Sequence, residues 1–220
     1  MRRRFEEQLE TLHTSMIRMG ALCEDAIASA TKALLEGDDS AREEAIALEH
    51  DINSQERDIE QTCVRLLLHQ QPVARDLRGI TAAQKMITDM ERIGDQAADI
   101  AELSVFMKGS QVGSDIHIAD MARATIKMVT DSIDSYVTGN LSKAKAVIAY
   151  DDVVDDLFSK IKRELIAQLL DDSTLAEDCL DLLMIAKYYE RIGDHAENIA
   201  ERVLYAITGR LDAGGPEASL

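Results

Sequence analysis

The sequence predicts an all-α protein: six long antiparallel helices in two tandem three-helix bundles related by internal duplication. Residues 91–102 (ERIGDQAADIAE) and 190–201 (ERIGDHAENIAE) agree at nine of twelve positions and lie 99 positions apart in a chain of 220 residues. A period of about half the chain indicates one structural unit made twice. Two prolines, no tryptophan and abundant Ala, Leu, Ile, Met and Glu favour helices.

The first half is predicted to contain three helices. Apolar residues spaced by three and four predict a helix from about residue 3 to 36, and Gly37 ends it. Residues 38–40 supply a cap for a second helix, which stops before Pro72. A third begins near Pro72, since the first turn tolerates proline, and runs to about Lys108.

The second half repeats this plan. A helix from about residue 115 to 137 ends at Gly139, which matches Gly37 at an offset of 102. The fifth helix breaks at residues 171–174, and the sixth runs to about Gly209. The change of offset from 102 to 99 is absorbed in the connecting turns.

The stretch 109–114 (GSQVGS) is the linker-like segment inside the chain. It divides the chain into a first bundle over residues 1–110 and a second over 111–220, with a disordered tail from about residue 210. Helices of this length pack as antiparallel bundles with crossing angles of about 20°.

Charge and composition exclude several classes of protein. A net charge of −17 argues against nucleic-acid binding and suits cations or basic partner surfaces. No stretch approaches the roughly 18 apolar residues of a membrane span. Cys23, Cys63 and Cys179 are odd in number and scattered, which indicates buried thiols in a reduced cytoplasmic setting.

The third helix of each half carries an unusual acidic stripe. Glu91, Asp95 and Asp99 stack on one face with no cation between them, an arrangement that costs a few tenths of a kcal/mol per like-charge pair. Gly94 and Gly193 lie inside their helices, where each costs about 1 kcal/mol relative to alanine. A glycine inside a helix indicates close approach by a neighbour.

The middle helices carry acidic pairs of their own. Asp151 and Asp155 are four apart, with Asp151 at the edge of the apolar stripe beside Val154. At the offset of 102, Glu49 and Asn53 hold the same two places. A carboxylate pressed towards a core is costly unless it is paired or bound to a cation. Facing carboxylates on adjacent helices suit a hard or borderline cation.

Other interpretations remain open at this point. The stripes could be solvated helix faces, or ion-pair networks with Arg92 and Arg191. His195 stands where the first half has Gln96, so it is not a repeated ligand. A ferritin-type oxidase needs two Glu-x-x-His motifs, and residues 10–13 supply one. No phosphate loop or nucleophile elbow is visible.

Several motifs together resemble the PhoU family. They are ERIGD at residues 91–95 and again at 190–194, QQPVARDLR at residues 70–78, and MGAL at residues 19–22. The resemblance covers about residues 5–208. It implies two tandem three-helix bundles and, as in some members, multinuclear iron or zinc clusters held by acidic pairs four residues apart.

Carried onto this chain, the resemblance predicts a set of metal-binding positions, with other divalent cations also open and no organic cofactor. The predicted positions are Glu49, Asn53, Glu91, Asp95, Asp99, Asp151, Asp155, Glu190, Asp194 and Asn198. An amide replaces a carboxylate at Asn53, so the first half departs from the family pattern. Asn198 likewise stands where the first half has Asp99.

The resemblance also implies a function. It predicts a cytoplasmic, non-enzymatic adaptor that negatively regulates phosphate uptake and phosphate-starvation signalling. The expected partners are the ATPase of the phosphate ABC transporter and a sensor histidine kinase, and 46% apolar residues favour a homodimer. The alternative is a metal-dependent enzyme or a cation store on a helical bundle.

Overall fold

The computed structural model describes residues 2–70, 72, 74–110, 112 and 116–210, with the backbone alone at 2–4 and 70. The predicted tail after residue 210 and the predicted helix start at residue 115 lie outside these ranges.

The regular secondary structure of the described residues is all helical, with no strand, as the sequence predicted. The elements are α1 (Arg2–Glu36), α2 (Asp39–Gln70), α3 (Ala74–Leu103), α4 (Ile118–Thr138), α5 (Leu141–Asp171), a 3₁₀ turn (Ser173–Leu175) and α6 (Ala176–Thr208).

The end of α3 differs from the prediction. The helix ends at Leu103 and not near Lys108, because the backbone N–H groups of Phe106 and Lys108 bond three residues back instead of four. Gly109, with φ of +79°, follows these tight turns. The apolar spacing continues past Leu103, which is why the sequence placed the end too late.

The matching glycines end α1 and α4 in the same way. Gly37 and Gly139 have φ of +65° and +61°, in the left-handed region that glycine adopts without strain. After Gly139, the side chain of Asn140 accepts a hydrogen bond from the N–H of Lys143 and caps α5. The predicted match between Gly37 and Gly139 therefore corresponds to the same kind of helix-ending turn in each half.

The helices form two layers. α2, α3, α6 and α5 contact one another in that order and make a front layer, while α1 and α4 lie against each other and cover its inner side. We call the outer surface of the front layer the front face. Each half keeps its three helices together, and α3 against α6 joins the halves.

A single apolar core runs through both bundles. A Cβ atom on Gly20 of α1 would lie 2.6 Å from Cδ1 of Ile133 on α4, so this approach requires glycine. The hydroxyl of Tyr189, fully buried on α6, lies 2.7 Å from Oγ1 of Thr31 on α1. The two bundles are thus packed as one body. Among the described helices, none is both long and apolar enough to cross a membrane.

Candidate metal site

Two acidic sites lie on the front face, one in each half. We call the site between α2 and α3 site 1, and the site between α5 and α6 site 2. In site 2, Oδ1 of Asp151 lies 3.3 Å and Cγ1 of Val154 3.2 Å from where a Cβ on Gly193 would be. In site 1, Cδ1 of Ile52 lies 2.9 Å from the same position on Gly94. Both glycines therefore admit a neighbouring helix.

Site 2 gathers five carboxylates. Burial and then Asp155, Asp194 and Glu190 raise the pKa of Asp151 to about 6. Burial and then Asp151 raise the pKa of Glu197 to about 7, with Asp194 and Asp155 contributing. Burial is the larger cause of both shifts, and the neighbouring carboxylates add to it, because like charges nearby also disfavour the ionised form. The structure thus brings together four predicted residues and adds Glu197.

One lysine offsets part of this charge. Lys187 forms a salt bridge with Glu190, three residues along α6. Its ammonium also lies 5.5 Å from the centre of the Phe158 ring on α5. Even with this partner nearby, the pKa of Asp194 is raised, by burial first and then by Glu190. Site 2 therefore keeps an excess of negative charge.

Site 1 is more nearly neutral. Arg92 lies over its two acids on α3, with Nε 3.4 Å from Oε2 of Glu91 and Nη1 3.4 Å from Oδ2 of Asp95. On α2, the Asn53 amide donates to the Glu49 carboxylate. Burial still raises the pKa of Glu91, and Arg92 acts against that rise. The four predicted residues of site 1 are present, paired within their own helices.

The sequence prediction missed Glu56 and Glu197. Burial and then Glu60 raise the pKa of Glu56. The charges of Arg92 and Asp95 in site 1 also act on this pKa. Equivalence between the repeats did not indicate them, because these two acids have no acidic counterpart: Phe158 matches Glu56, and Ala98 matches Glu197. Each lies three residues after a predicted site residue, Asn53 or Asp194, so helical spacing was the signal in the sequence that could have found it.

Asp99 and Asn198 lie beside the seam where α3 meets α6. Burial and neighbouring carboxylates raise the pKa of Asp99, and Arg191 on α6 acts against that rise. The Asn198 amide donates to Oδ1 of Asp89 over 3.4 Å, and Nδ1 of His195 lies 3.0 Å from the same oxygen. These residues connect the two halves, and Asn198 is turned to a partner outside site 2.

The donors of both sites are oxygen atoms, which fit hard or borderline cations. In the arrangement of the described side chains, no three His, Cys, Asp or Glu groups converge closely enough to hold a metal ion. Closing site 2 around a cation therefore requires rotation of its carboxylates. Such a cation would relieve the repulsion that raises the pKa values of Asp151 and Glu197.

Comparison with known proteins gives full-length matches. The PhoU from Clostridium acetobutylicum, a phosphate-specific transport system accessory protein homolog, is 37% identical over 95% of this chain and 96% of its own length. The Aquifex aeolicus homolog of the same name is 36% identical over 93% of each chain.

Solved structures agree with these matches. The crystal structure of PhoU from Pseudomonas aeruginosa superimposes with a TM-score of 0.89 at 32% identity, over 94% of this chain and 100% of that one. The phosphate transport system regulatory protein PhoU from Streptococcus pneumoniae gives 0.87 at 29% identity, over 94% and 98%. The PhoU domain pattern matches residues 16–104 and again 118–203. The chain belongs to the PhoU family.

Proposed function

We propose that this protein is a regulatory accessory protein of a phosphate-uptake system and acts in the cytoplasm. The observation that carries the proposal is the full-length match to relatives named phosphate-specific transport system accessory proteins. In this role it restrains uptake and phosphate-starvation signalling by contacting the transporter ATPase and a sensor histidine kinase. It acts through these contacts and catalyses no reaction.

A deletion strain tests the regulatory role. Without this chain, phosphate-starvation genes are expected to be expressed at high external phosphate, and the wild-type gene in trans should restore repression. Normal repression in the deletion strain would overturn the proposal. Turnover of a phosphoester that is lost in Asp194→Ala would favour the enzyme alternative instead.

We also propose that site 2 binds iron or zinc, as a cluster of more than one ion. The raised pKa values of Asp151 and Glu197 support this proposal, because burial first and then the neighbouring carboxylates disfavour their charged forms, a cost that a bound cation offsets. Asp151, Asp155, Glu190 and Asp194 would hold the metal, with Glu197 completing the set. Elemental analysis of protein purified without chelator tests it, and metal-free protein that takes up neither ion would contradict it.

A homodimer is a further part of the proposal. Exposed apolar side chains remain on the surface of the folded chain, and such groups are often covered by a second copy. Light scattering across a range of concentrations decides the oligomeric state.

A further inference from the structure

Two pairs of apolar side chains are exposed at equivalent positions of the two repeats. Val64 and Leu68 on α2 are 40% and 70% exposed, and we call them apolar pair 1. Ile166 and Leu170 on α5 are 48% and 83% exposed, and we call them apolar pair 2. Each member of pair 2 follows its counterpart by 102 residues, which is the offset between α2 and α5.

Both pairs point to the front face. Ile52 contacts Gly94, and Val154 contacts Gly193, so these two residues mark the sides of α2 and α5 that face their neighbours. The pair members follow them by 12 and 16 residues, or about 120° and 160° around the helix. Asp151, three residues before Val154, is displaced by about 60° in the same sense. The apolar pairs thus share the face of the acidic sites.

The pairs lie at opposite ends of this face. α3 and α6 run antiparallel, because Asp89 meets His195 and Asn198 whereas Asp99 meets Arg191. The α2–α3 turn and the α5–α6 turn are therefore at opposite ends of the seam. α3 has 30 residues, so these two ends are roughly 45 Å apart along the helix direction. A pseudo-two-fold axis through the seam relates them.

The front face between the pairs is acidic. It carries seven carboxylates of the third helices and of α5: Glu91, Asp95, Asp99, Glu102, Asp155, Glu190 and Asp194. They outnumber the cations that lie beside them, Arg92, Lys187 and Arg191. An anionic lipid surface would be repelled by them. If a second copy bound through the same face, the acids of one copy would lie opposite those of the other. Like-charge contact across an interface costs several kcal/mol. The charge therefore favours a basic protein surface.

We propose that the front face is a two-point docking surface for a two-fold symmetric protein. Each apolar pair receives one of two equivalent helical segments of that protein, and basic groups between those segments face the acidic middle. Side chains four apart on a helix are the usual anchors of helix-to-helix docking. The proposal rests on the proposed regulatory function and assigns its contact surface.

Binding measurements on point variants test the surface. The probes are the purified transporter ATPase and the cytoplasmic part of the sensor kinase from the same organism. Leu68→Glu and Leu170→Glu should each weaken binding to one of these probes about tenfold or more. The double variant should weaken it about 100-fold or more, because the two contacts reinforce each other on one partner. Native mass spectrometry should give one chain for each partner dimer.

Ile17→Glu is the matched control. Ile17 is 46% exposed on α1, in the layer behind the front layer, so this variant should bind within about twofold of wild type. Circular dichroism melting of all variants checks that folding is retained.

The other outcomes separate this proposal from the function on which it rests. If wild type binds neither probe, the regulatory function fails and the docking surface fails with it. If wild type binds but the double variant binds equally well, the surface is overturned and the function stands. A double variant that instead loses self-association, or binding to anionic phosphatidylglycerol vesicles, would assign the face to a second copy or to lipid and overturn the proposal.

Discussion

Sites 1 and 2 lie at equivalent places in the two repeats and differ in which carboxylates the arginine of each repeat acts on. Arg92 pairs with both α3 acids of site 1. Arg191, at the same place in the second repeat, instead acts on Asp99 across the seam. His50 lies beside Glu49 in site 1, with Nδ1 2.9 Å from its carboxylate.

The two sites have diverged through their side chains. Two substitutions add an amide and a histidine to site 1, where site 2 has Asp155 and Asp152. The equivalent arginines also differ, because Arg92 pairs with the acids of its own site and Arg191 acts on Asp99 of the other repeat. Site 1 then has the contacts of an ion-pair network, while site 2 keeps uncompensated charge that a bound cation would offset.

The largest expected effect is on metal-dependent stability. At a metal concentration 100 times the Kd, binding adds about 2.7 kcal/mol, which for a chain of this size raises Tm by roughly 5–10 °C. Asp151→Asn/Asp194→Asn should abolish this rise with Fe²⁺ or Zn²⁺, measured by calorimetry with and without chelator. Glu91→Gln/Asp95→Asn in site 1 is the matched control and should retain most of it. Equal losses in both variants would contradict the difference between the sites.

Glu197→Gln should stabilise the metal-free protein at alkaline pH. The pKa of Glu197 is raised to about 7 in the folded chain, so the folded state holds this proton more tightly than the unfolded state does. Its contribution to stability is present below the ordinary carboxyl pKa and is lost as pH rises through about 7. With solvent screening allowed for, the variant should be about 1–2 kcal/mol more stable than wild type at pH 8.

Denaturant unfolding at several pH values measures this difference, which should shrink as pH falls to about 4.5. Glu10→Gln, at an exposed position of α1, is the control and should follow wild type. A constant difference from pH 4.5 to 8 would show that Glu197 does not titrate in this range in the folded chain.

The two helix glycines should respond differently to alanine. At Gly94 a Cβ would lie 2.9 Å from Cδ1 of Ile52, whereas at Gly193 the nearest atoms are 3.2 and 3.3 Å away. Gly94→Ala should therefore destabilise the fold by about 1 kcal/mol, because overpacking outweighs the gain in helix propensity. Gly193→Ala should be within about 0.5 kcal/mol of wild type.

Gly193→Ala carries a second readout. The added methyl group would displace the Asp151 carboxylate, so the Tm rise with metal should fall while the metal-free Tm stays nearly constant. Urea titration and calorimetry measure the two effects separately. An unchanged metal response would place Asp151 outside the binding set.

Arg92→Gln should change stability little. Its guanidinium is largely exposed, so losing both pairs should cost less than about 1 kcal/mol. The variant makes site 1 resemble site 2, and the amount of metal bound per chain should rise above wild type. Arg18→Gln, exposed on α1 behind the front layer, is the control. If metal content stays at the wild-type value, Arg92 is not what distinguishes the two sites.

The fold could be predicted from the sequence because the helices of each half are locally determined. Apolar spacing located six helices. Gly37 ends α1 and Gly139 ends α4, each with a positive φ. The end of α3 could not be placed, since apolar residues continue through Met107 while the backbone hydrogen bonds already shorten.

The sites could be predicted only in part. Repeat equivalence led to the four paired positions of each half and concealed Glu56 and Glu197, which are not repeated. Asp99 and Asn198 lie on the same helix faces as Asp95 and Asp194. The sequence does not show which helix packs beside each face. The contact of α3 with α6 turned Asn198 towards Asp89.

That contact has an evolutionary consequence. α3 and α6 are copies of one ancestral helix and lie antiparallel across a pseudo-two-fold axis, with Thr31 and Tyr189 joining the halves beneath them. A half-length ancestor would have exposed the same apolar surface and met the same need by pairing with its twin. Tandem fusion turns that pairing from a concentration-dependent association into a property of one chain. It also frees each copy to change alone, which is how two sites of common origin came to carry different charge.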